Sequence, residues 1–255
     1  MIKLKTKKDI EKLCRGGRIL SQVMDRVEAK IQPGANTETL TNLTEELIKK
    51  YGGRPSFKGY KAAWAESAYP AALCVSINEE VVHGLPVPAR VINEGDIVGI
   101  DCGLEYEGLF TDMARTVIVG QVKSELKKLV SVTQEALMKG IDQIKPGHKI
   151  SDIAQAIQEH VEKNGFSVVR QLVGHGVGYS AHEEPQIPNF VDKSVADVEL
   201  KEGMVLAIEP MVNIGGWQVD NLEDGWTIVT RDKSISAHFE HTVAVTDKGF
   251  KIITK

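Results

Sequence analysis

The feature that most constrains the fold is an internal duplication. Ile-Gln-Pro-Gly at residues 31–34 recurs as Ile-Lys-Pro-Gly at 144–147. In both copies a glycine stands nineteen residues after the proline, at Gly52 and Gly165. Apolar residues at helical spacing predict helices at about 7–31, 37–51, 124–145 and from 150 up to Gly165. The chain therefore carries a repeated helix–Pro-Gly–helix unit.

The duplication extends into the predicted strands. Glu-Gly followed by an apolar run that ends in a carboxylate occurs at residues 94–101 and again at 202–209. The two runs end at Asp101 and Glu209, and an acid at the same place in two halves predicts a pseudo-symmetric site at their junction. We therefore predict an α+β fold with two similar halves, an inner antiparallel sheet and outer helices, forming a single domain over residues 1–255.

A hairpin is predicted to bring two aspartates together. Residues 105–108 have the pattern of a type I turn with glycine last. A hairpin centred between Tyr106 and Glu107 places Asp101 directly opposite Asp112, with their Cβ atoms roughly 5 Å apart. Two facing carboxylates repel each other, so either a shared proton or a cation is expected between them.

Further candidate groups lie later in the chain. Glu240 opens a predicted strand of alternating apolar residues. His175 lies between glycines, which permit close backbone approach, and His182 follows it in the same Gly- and Pro-rich loop. His83 is a weaker candidate when considered by itself.

These groups together favour a metal centre. Four carboxylates and one imidazole carry a formal charge near −4, which two divalent cations neutralise. Oxygen ligands with a single nitrogen suit Mn²⁺, Fe²⁺, Co²⁺ or Zn²⁺ without deciding among them. Two such ions lower the pKa of a water between them and so provide a hydroxide nucleophile.

Composition excludes several other classes. The net charge of −4 over 255 residues gives no footprint for specific nucleic-acid binding, and no segment is apolar enough to span a membrane. We expect a cytoplasmic protein, because the odd number of cysteines suits a reducing compartment. A short lysine run, with RNA contact as the alternative, is interpreted as the solvated start of a helix: Lys3, Lys5, Lys7 and Lys8.

Several motifs are spread over nearly the whole chain, at residues 76–79 with 81–84, 101–115, 174–178, 182–185, 209–211 and 240–242. Together they resemble one family, the methionine aminopeptidases of the shorter bacterial-type class (type I), within the pita-bread (creatinase/aminopeptidase) superfamily.

The resemblance implies the pita-bread fold and hydrolytic removal of the initiator methionine from new polypeptides, with a small second residue preferred. It also implies two divalent ions per chain. Asp101 and Glu240 would serve one metal, and His175 and Glu209 the other. Asp112 and Glu240 would bridge them.

The same resemblance implies individual roles. A hydroxide between the metals attacks the first peptide carbonyl, and Glu209 shuttles the proton as general base and then acid. His182 hydrogen-bonds the carbonyl oxygen and the tetrahedral intermediate, while His83 contacts the scissile nitrogen. The residues expected to line the methionine pocket are Tyr69, Cys74 and Trp226.

Two departures from the family pattern concern selectivity. About six extra residues lie within residues 61–68, in a loop that borders the expected pocket. Ala181 stands where relatives carry an aromatic residue before the histidine. We expect this change to widen the pocket near the second substrate residue, unless Trp64 of the extra loop refills the space.

Two alternatives share the expected fold. An Xaa-Pro aminopeptidase or prolidase has the same five ligands but usually a large N-terminal domain. A non-catalytic scaffold is disfavoured because all five ligands and both further histidines are retained. The expected partners are nascent polypeptide N-termini, bound by a monomer, and ribosome docking through the basic N-terminus stays open.

Overall fold

The helices of the repeat form where the sequence predicts them. The structure, a computed structural model, describes residues 1–62, 65–194 and 197–255. The N-cap of the first helix is Thr6, whose side chain and that of Asp9 form a reciprocal capping box. The helices of the described residues are α1 (Lys7–Glu28), α2 (Thr37–Lys50), α3 (Ser124–Ile141) and α4 (Ile150–Lys163).

The strands form several small sheets, and every pairing among the described strands is antiparallel. In the first half they are β1 (Arg54–Pro55), β2 (Cys74–Ile77), β3 (Glu80–Val82), β4 (Ile97–Tyr106) and β5 (Leu109–Ile118). In the second half they are β6 (Ser167–Val168), β7 (Val173–Gly176), β8 (Glu183–Pro188), β9 (Val205–Ile208), β10 (Met211–Asn213), β11 (Val219–Asn221), β12 (Ile228–Thr230), β13 (Ser236–His238), β14 (His241–Thr246) and β15 (Gly249–Ile252).

Most of the strand pairs lie within one half of the chain, and one pair joins the two halves. In one sheet β4 lies between β1 and β2 and also pairs with β5, and in another the order is β15-β14-β9-β7-β8. Strand β3 of the first half pairs with β12 of the second. The strands that carry the candidate ligands thus belong to two sheets that meet at the junction.

The predicted duplication is confirmed by equivalent backbone hydrogen bonds. Gly34 N–H donates to the Ile92 carbonyl, and Gly147 N–H donates to the Leu200 carbonyl. Single β-bridges follow at equivalent places, Asn36 with Val91 and Lys149 with Glu199. The Pro-Gly turn of each half is therefore tied to the segment that leads into that half's central strand.

The hairpin register differs from the prediction. Asp101 lies opposite Ala114, and Asp112 lies opposite Gly103. The two central turn residues are Glu107 and Gly108, with φ of 50° and 77°, which is the type I′ geometry that matches strand twist in two-residue loops. The aspartates are consequently diagonal neighbours on one face instead of directly opposed.

Helix α1 connects the two halves. Leu13 and Cys14 of α1 are buried in a cluster with Val205 of β9 and Ala244 of β14. Each half also has its own larger apolar cluster under its helix pair. Burial of this shared face holds the two sheets, and thus the acids at their ends, in a fixed relation.

Among the described residues, no helix combines the length and the apolar character needed to cross a bilayer.

Candidate metal centre and adjoining pocket

Three of the predicted ligands converge from three elements. Asp112 on β5, His175 on β7 and Glu240 just before β14 each present one ligand atom, and these atoms all lie within 4.8 Å of one another. One residue comes from the first half and two from the second. The junction between the halves is therefore where potential ligands meet.

The other two predicted ligands adjoin this group. Asp101 is the diagonal neighbour of Asp112 on one face of the hairpin, and both line the same cavity. Glu209 Oε1 lies 3.5 Å from His175 Nε2. All five residues that the sequence singled out are thus brought to one place.

Backbone contacts fix two of the acids. Asp112 N–H donates to Thr242 Oγ1, and Thr242 Oγ1–H donates to the Asp112 carbonyl, both at 2.8 Å. Glu240 N–H donates to the Ala114 carbonyl at 3.0 Å. These bonds join β5 to β14, so the two carboxylates are held on a rigid frame.

The candidate ligand His175 presents the lone pair of one ring nitrogen to the acids. His175 Nδ1 lies 2.8 Å from the Gly176 carbonyl oxygen. Because a carbonyl only accepts, Nδ1 carries the proton and Nε2 has the lone pair. That lone pair faces a Glu209 oxygen, so two acceptors oppose each other at a distance that a cation would bridge.

The acids cannot all ionise in this environment without positive charge. Burial raises the pKa of Asp101 to about 7 and that of Glu209 to about 8. Burial and the neighbouring carboxylates raise the pKa of Asp112 and of Glu240 well above the usual range. Among the described atoms, Asp101 Oδ1 and Glu240 Oε1 are buried without a hydrogen-bond partner. Buried oxygens of this kind fit divalent cations as their missing partners.

Two further histidines flank the centre. The ring of His182 lies 4.3 Å from that of His175, at the exposed rim of the cavity. His83 has φ of 59°, a left-handed conformation that is uncommon outside glycine and concentrates at functional sites. Burial lowers the pKa of His83 to about 4, so its ring is neutral near pH 7.

An apolar pocket opens beside the acids. Tyr69, Cys74 and Trp226 are almost fully buried in one cluster, and the Tyr69 and Trp226 rings meet edge to face at 5.1 Å. Tyr69 Oη donates to the Gly84 carbonyl at 2.9 Å, which holds the ring in place. These residues and all five candidate ligands line one cavity of about 570 Å³. A cavity of this size accommodates one long apolar side chain next to the acids.

Sequence reasoning missed two residues of the site. Buried His238 places Nε2 3.5 Å from Glu209 Oε2. A signal for it existed, because His238 stands two positions before Glu240, and alternate residues of an extended segment share a face. The Tyr60 ring lies 5.1 Å from that of His182, and no spacing rule pointed to it.

The two departures from the family pattern line different parts of the site. Ala62 of the extra loop lines the main cavity, as expected for a loop that borders the pocket. Buried Ala181 lines an adjacent groove, and Tyr60 lines both spaces. Trp64 lies outside the described residues, so its predicted filling role stays a prediction.

Comparison with known proteins agrees over the whole chain. The model of metallopeptidase family M24 matches residues 11–247. Methionine aminopeptidase 1 of Bacillus subtilis is 46% identical over 255 residues, covering 100% of both chains.

Solved structures give the same result. The crystal structure of methionine aminopeptidase from Thermotoga maritima superposes with a TM-score of 0.94 at 48% identity, covering 100% of both chains. Prolidase from Pyrococcus furiosus superposes with a TM-score of 0.77 at 24% identity, covering 99% of this chain and 65% of that one. The prolidase shows a shared fold alone, and the predicted α+β pita-bread architecture is confirmed.

Proposed function

The chain belongs to metallopeptidase family M24, and we propose that it hydrolyses the first peptide bond of new polypeptides to release the initiator methionine. The observation that carries the proposal is a single cavity in which five potential metal ligands adjoin a buried sulfur- and aromatic-lined pocket. Full-length similarity to methionine aminopeptidases supports the same substrate.

The ligand set fits two divalent ions. Asp101, Asp112, His175, Glu209 and Glu240 offer four carboxylates and one neutral imidazole, a donor set that suits Mn²⁺, Fe²⁺, Co²⁺ or Zn²⁺. The unpartnered buried oxygens and the raised carboxyl pKa values support cations as their complement. When bound, such ions supply Lewis acidity that polarises the peptide carbonyl and lowers the pKa of water.

Glu209 is suited to move the proton. Its carboxyl lies between His175 and His238, at 3.5 Å from each ring, and lines the cavity in which the scissile bond would lie. In the proposed mechanism Glu209 accepts a proton from the attacking water and gives it to the leaving amine. The new carboxylate belongs to the released methionine, and the new amine belongs to the shortened chain.

The two flanking histidines orient the peptide. In the proposed mechanism His182 donates to the carbonyl oxygen as negative charge develops there, an oxyanion-hole role. His83 contacts the scissile nitrogen in the same mechanism. Tyr69, Cys74 and Trp226 receive the methionine side chain, and polarisable sulfur–aromatic contacts favour a thioether there.

We further propose that the chain acts as a cytoplasmic monomer in a single domain. The monomer and the single domain are supported by the site itself, whose candidate groups all come from the two halves of one chain. The cytoplasmic location is supported by three free cysteines, which suit a reducing compartment. Ribosome docking rests on exposed Lys3, Lys7 and Lys8 alone. Light scattering in solution tests the monomer, and co-sedimentation with ribosomes at increasing salt tests the docking.

The deciding experiment uses two peptides. Metal-free protein is reloaded with Mn²⁺ or Co²⁺ and offered Met-Ala-Ser beside Arg-Pro-Pro. We expect metal-dependent release of methionine and no cleavage of the proline peptide. Cleavage of Arg-Pro-Pro alone would reassign the chain to the Xaa-Pro peptidases, and no turnover of either with metal bound would favour a scaffold.

A further inference from the structure

One lysine of the N-terminal run is buried although its neighbours are solvated. Lys5 is 6% exposed, whereas Lys3, Lys7 and Lys8 are exposed. Lys5 Nζ donates to Glu183 Oε2 at 2.7 Å, and the two side chains are only 2% and 7% exposed. The interpretation of the whole run as a solvated helix start is therefore wrong for Lys5.

The partner of Lys5 closes the loop that carries His182. The other carboxylate oxygen of Glu183, Oε1, accepts the backbone N–H groups of Tyr179 and Ser180. The carboxylate thus ties residue 183 back to residues 179 and 180. His182 lies inside this closed loop, next to the residue that closes it.

Two glycines make room for Lys5. Gly178 has φ of 136°, and a Cβ there would lie 2.4 Å from Lys5 Cε. A Cβ on Gly203 would lie 2.8 Å from the Lys5 carbonyl oxygen, and Lys5 N–H donates to the Gly203 carbonyl at 2.7 Å. A side chain at position 178 would therefore displace the lysine, in addition to the strain that its positive φ would impose.

A second tie joins the same loop to helix α1. Tyr179 Oη donates to Asp9 Oδ2 at 2.8 Å, and Asp9 belongs to the capping box of α1. Lys5 Nζ also lies 5.1 Å from the centre of the Tyr179 ring. The N-terminal segment and the His182 loop consequently form one interlocked unit.

We propose that Lys5 and Glu183 are positioning residues that hold His182 over the metal centre, an inference that rests on the proposed role of His182 in turnover. The buried ion pair fixes the loop, and the loop fixes the imidazole next to His175. Removing Lys5 leaves the Glu183 carboxylate buried and uncompensated, so the loop must move toward solvent. His182 then loses its alignment with the substrate carbonyl while the five ligands stay in place.

The test begins with Lys5→Met, which keeps the length of the side chain and removes its charge. We expect kcat for Met-Ala-Ser to fall about 10²-fold, the cost of misplacing a catalytic group by about 1 Å. KM and the affinity of the metal-free protein for Mn²⁺, measured by calorimetry, are expected to change little. Lys7→Met, on an exposed lysine two residues away, is the matched control and is expected to match the parent protein.

A double-mutant cycle separates positioning from general damage. In a His182→Ala background, Lys5→Met is expected to cause no further loss of kcat, because the group that it positions is already gone. A loss that multiplies with that of His182→Ala would overturn the proposal, as would a weakened affinity for Mn²⁺. If Lys5→Met does not fold, Glu183→Gln takes its place in the same double-mutant cycle. The side-chain amide oxygen of this variant can still accept the backbone N–H groups of Tyr179 and Ser180.

The activity of the parent protein distinguishes failure of the proposed function from failure of the positioning role alone. If it fails to release methionine with metal bound, the proposed function itself fails. If the parent is active and Lys5→Met is equally active, only the positioning role is rejected.

Discussion

The two halves of the repeat use equivalent positions for different purposes. By the alignment of the central strands, Gly99 of the first half corresponds to Ala207 of the second. Gly99 lies opposite Ser76, and Ala207 lies opposite His175. Ser76 Oγ accepts the Gly84 N–H in the interior, whereas His175 directs a lone pair at the acids. The equivalent backbone position therefore faces a structural hydrogen bond in one half and a candidate metal ligand in the other.

The acids at the equivalent positions 101 and 209 also differ in their surroundings. Asp101 lies within a long strand that continues into the hairpin to Asp112. Glu209 follows the end of β9 and meets two histidines instead of a hairpin partner. The first half thus contributes a rigid carboxylate pair and two of the three predicted pocket residues, Tyr69 and Cys74. The second half contributes Trp226 and the carboxyl group that is proposed to move the proton.

The most direct test of this comparison is to remove the charge of Asp101 and of Glu209 in separate variants. We expect Glu209→Gln to lower kcat by about 10²–10⁴-fold beyond any loss of metal, because it removes the proposed general base. Asp101→Asn, assayed at saturating metal, is expected to lose less. Steady-state rates with Met-Ala-Ser measure both, and Glu223→Gln, on an exposed acid, is the control. Equal losses at saturating metal would show that Glu209 acts only as a ligand.

A second comparison concerns the equivalent strand positions. His175→Ala is expected to weaken Mn²⁺ binding by more than about 100-fold, the upper end of the effect for a supporting residue near a metal. Ser76→Ala is expected to leave that affinity unchanged and to cost about 1–2 kcal/mol of folding free energy through a lost buried hydrogen bond. Calorimetric titration and thermal unfolding measure the two effects. Loss of metal in Ser76→Ala would contradict the division between the halves.

A third prediction uses the opposite pKa shifts of acids and histidines in the metal-free protein. Burial lowers the pKa of His175 from 6.5 to about 3, so stability from this group increases with pH until about 6.5. Burial raises the pKa of Glu209 from 4.5 to about 8, so stability from that group declines between these values. Between pH 6.5 and 8 only the decline remains. Glu209 alone is expected to lower the free energy of unfolding by about 1–2 kcal/mol over this range, and the raised pKa values of Asp112 and Glu240 act in the same direction.

Chemical denaturation at several pH values measures this decline. Saturating Mn²⁺ is expected to abolish it, because cation binding replaces the protons on the acids. Glu209→Gln is expected to reduce the slope without metal. A metal-free protein whose stability rises from pH 6.5 to 8 would contradict the raised carboxyl pKa values.

The smallest expected effect concerns the rim of the cavity, where Tyr60 of the first half meets the His182 loop of the second half. Ala181→Phe places a ring in the groove that Tyr60 also lines. We expect the ratio of kcat/KM for Met-Ala-Ser over Met-Val-Ser to rise by about tenfold, since a filled wall rejects larger second residues. Ala181→Ser, close in size, is the control. An unchanged ratio in Ala181→Phe would show that the second residue of the substrate does not bind in this groove.

Local patterns were enough for most of the fold and for the candidate ligands. Helices α1 to α4 begin and end close to where periodicity, Pro-Gly turns and stopping glycines predict, because these signals act over a few residues. The repeat pointed to Asp101 and Glu209, the predicted hairpin to Asp112, and the start of a strand to Glu240. The hairpin prediction grouped Asp101 with Asp112 even though its register was wrong, because both aspartates still lie on one face.

The sequence by itself thus determined the duplicated architecture and the identity of the potential ligands. Only the tertiary structure decided the hairpin register, because the φ values of Glu107 and Gly108, and not the residue types alone, select the turn. It also decided the fate of Lys5, whose burial depends on glycines about 170 to 200 positions away. Spacing along a chain reports which residues share a strand or a helix face, whereas a contact between distant segments exists only once the two sheets are packed together.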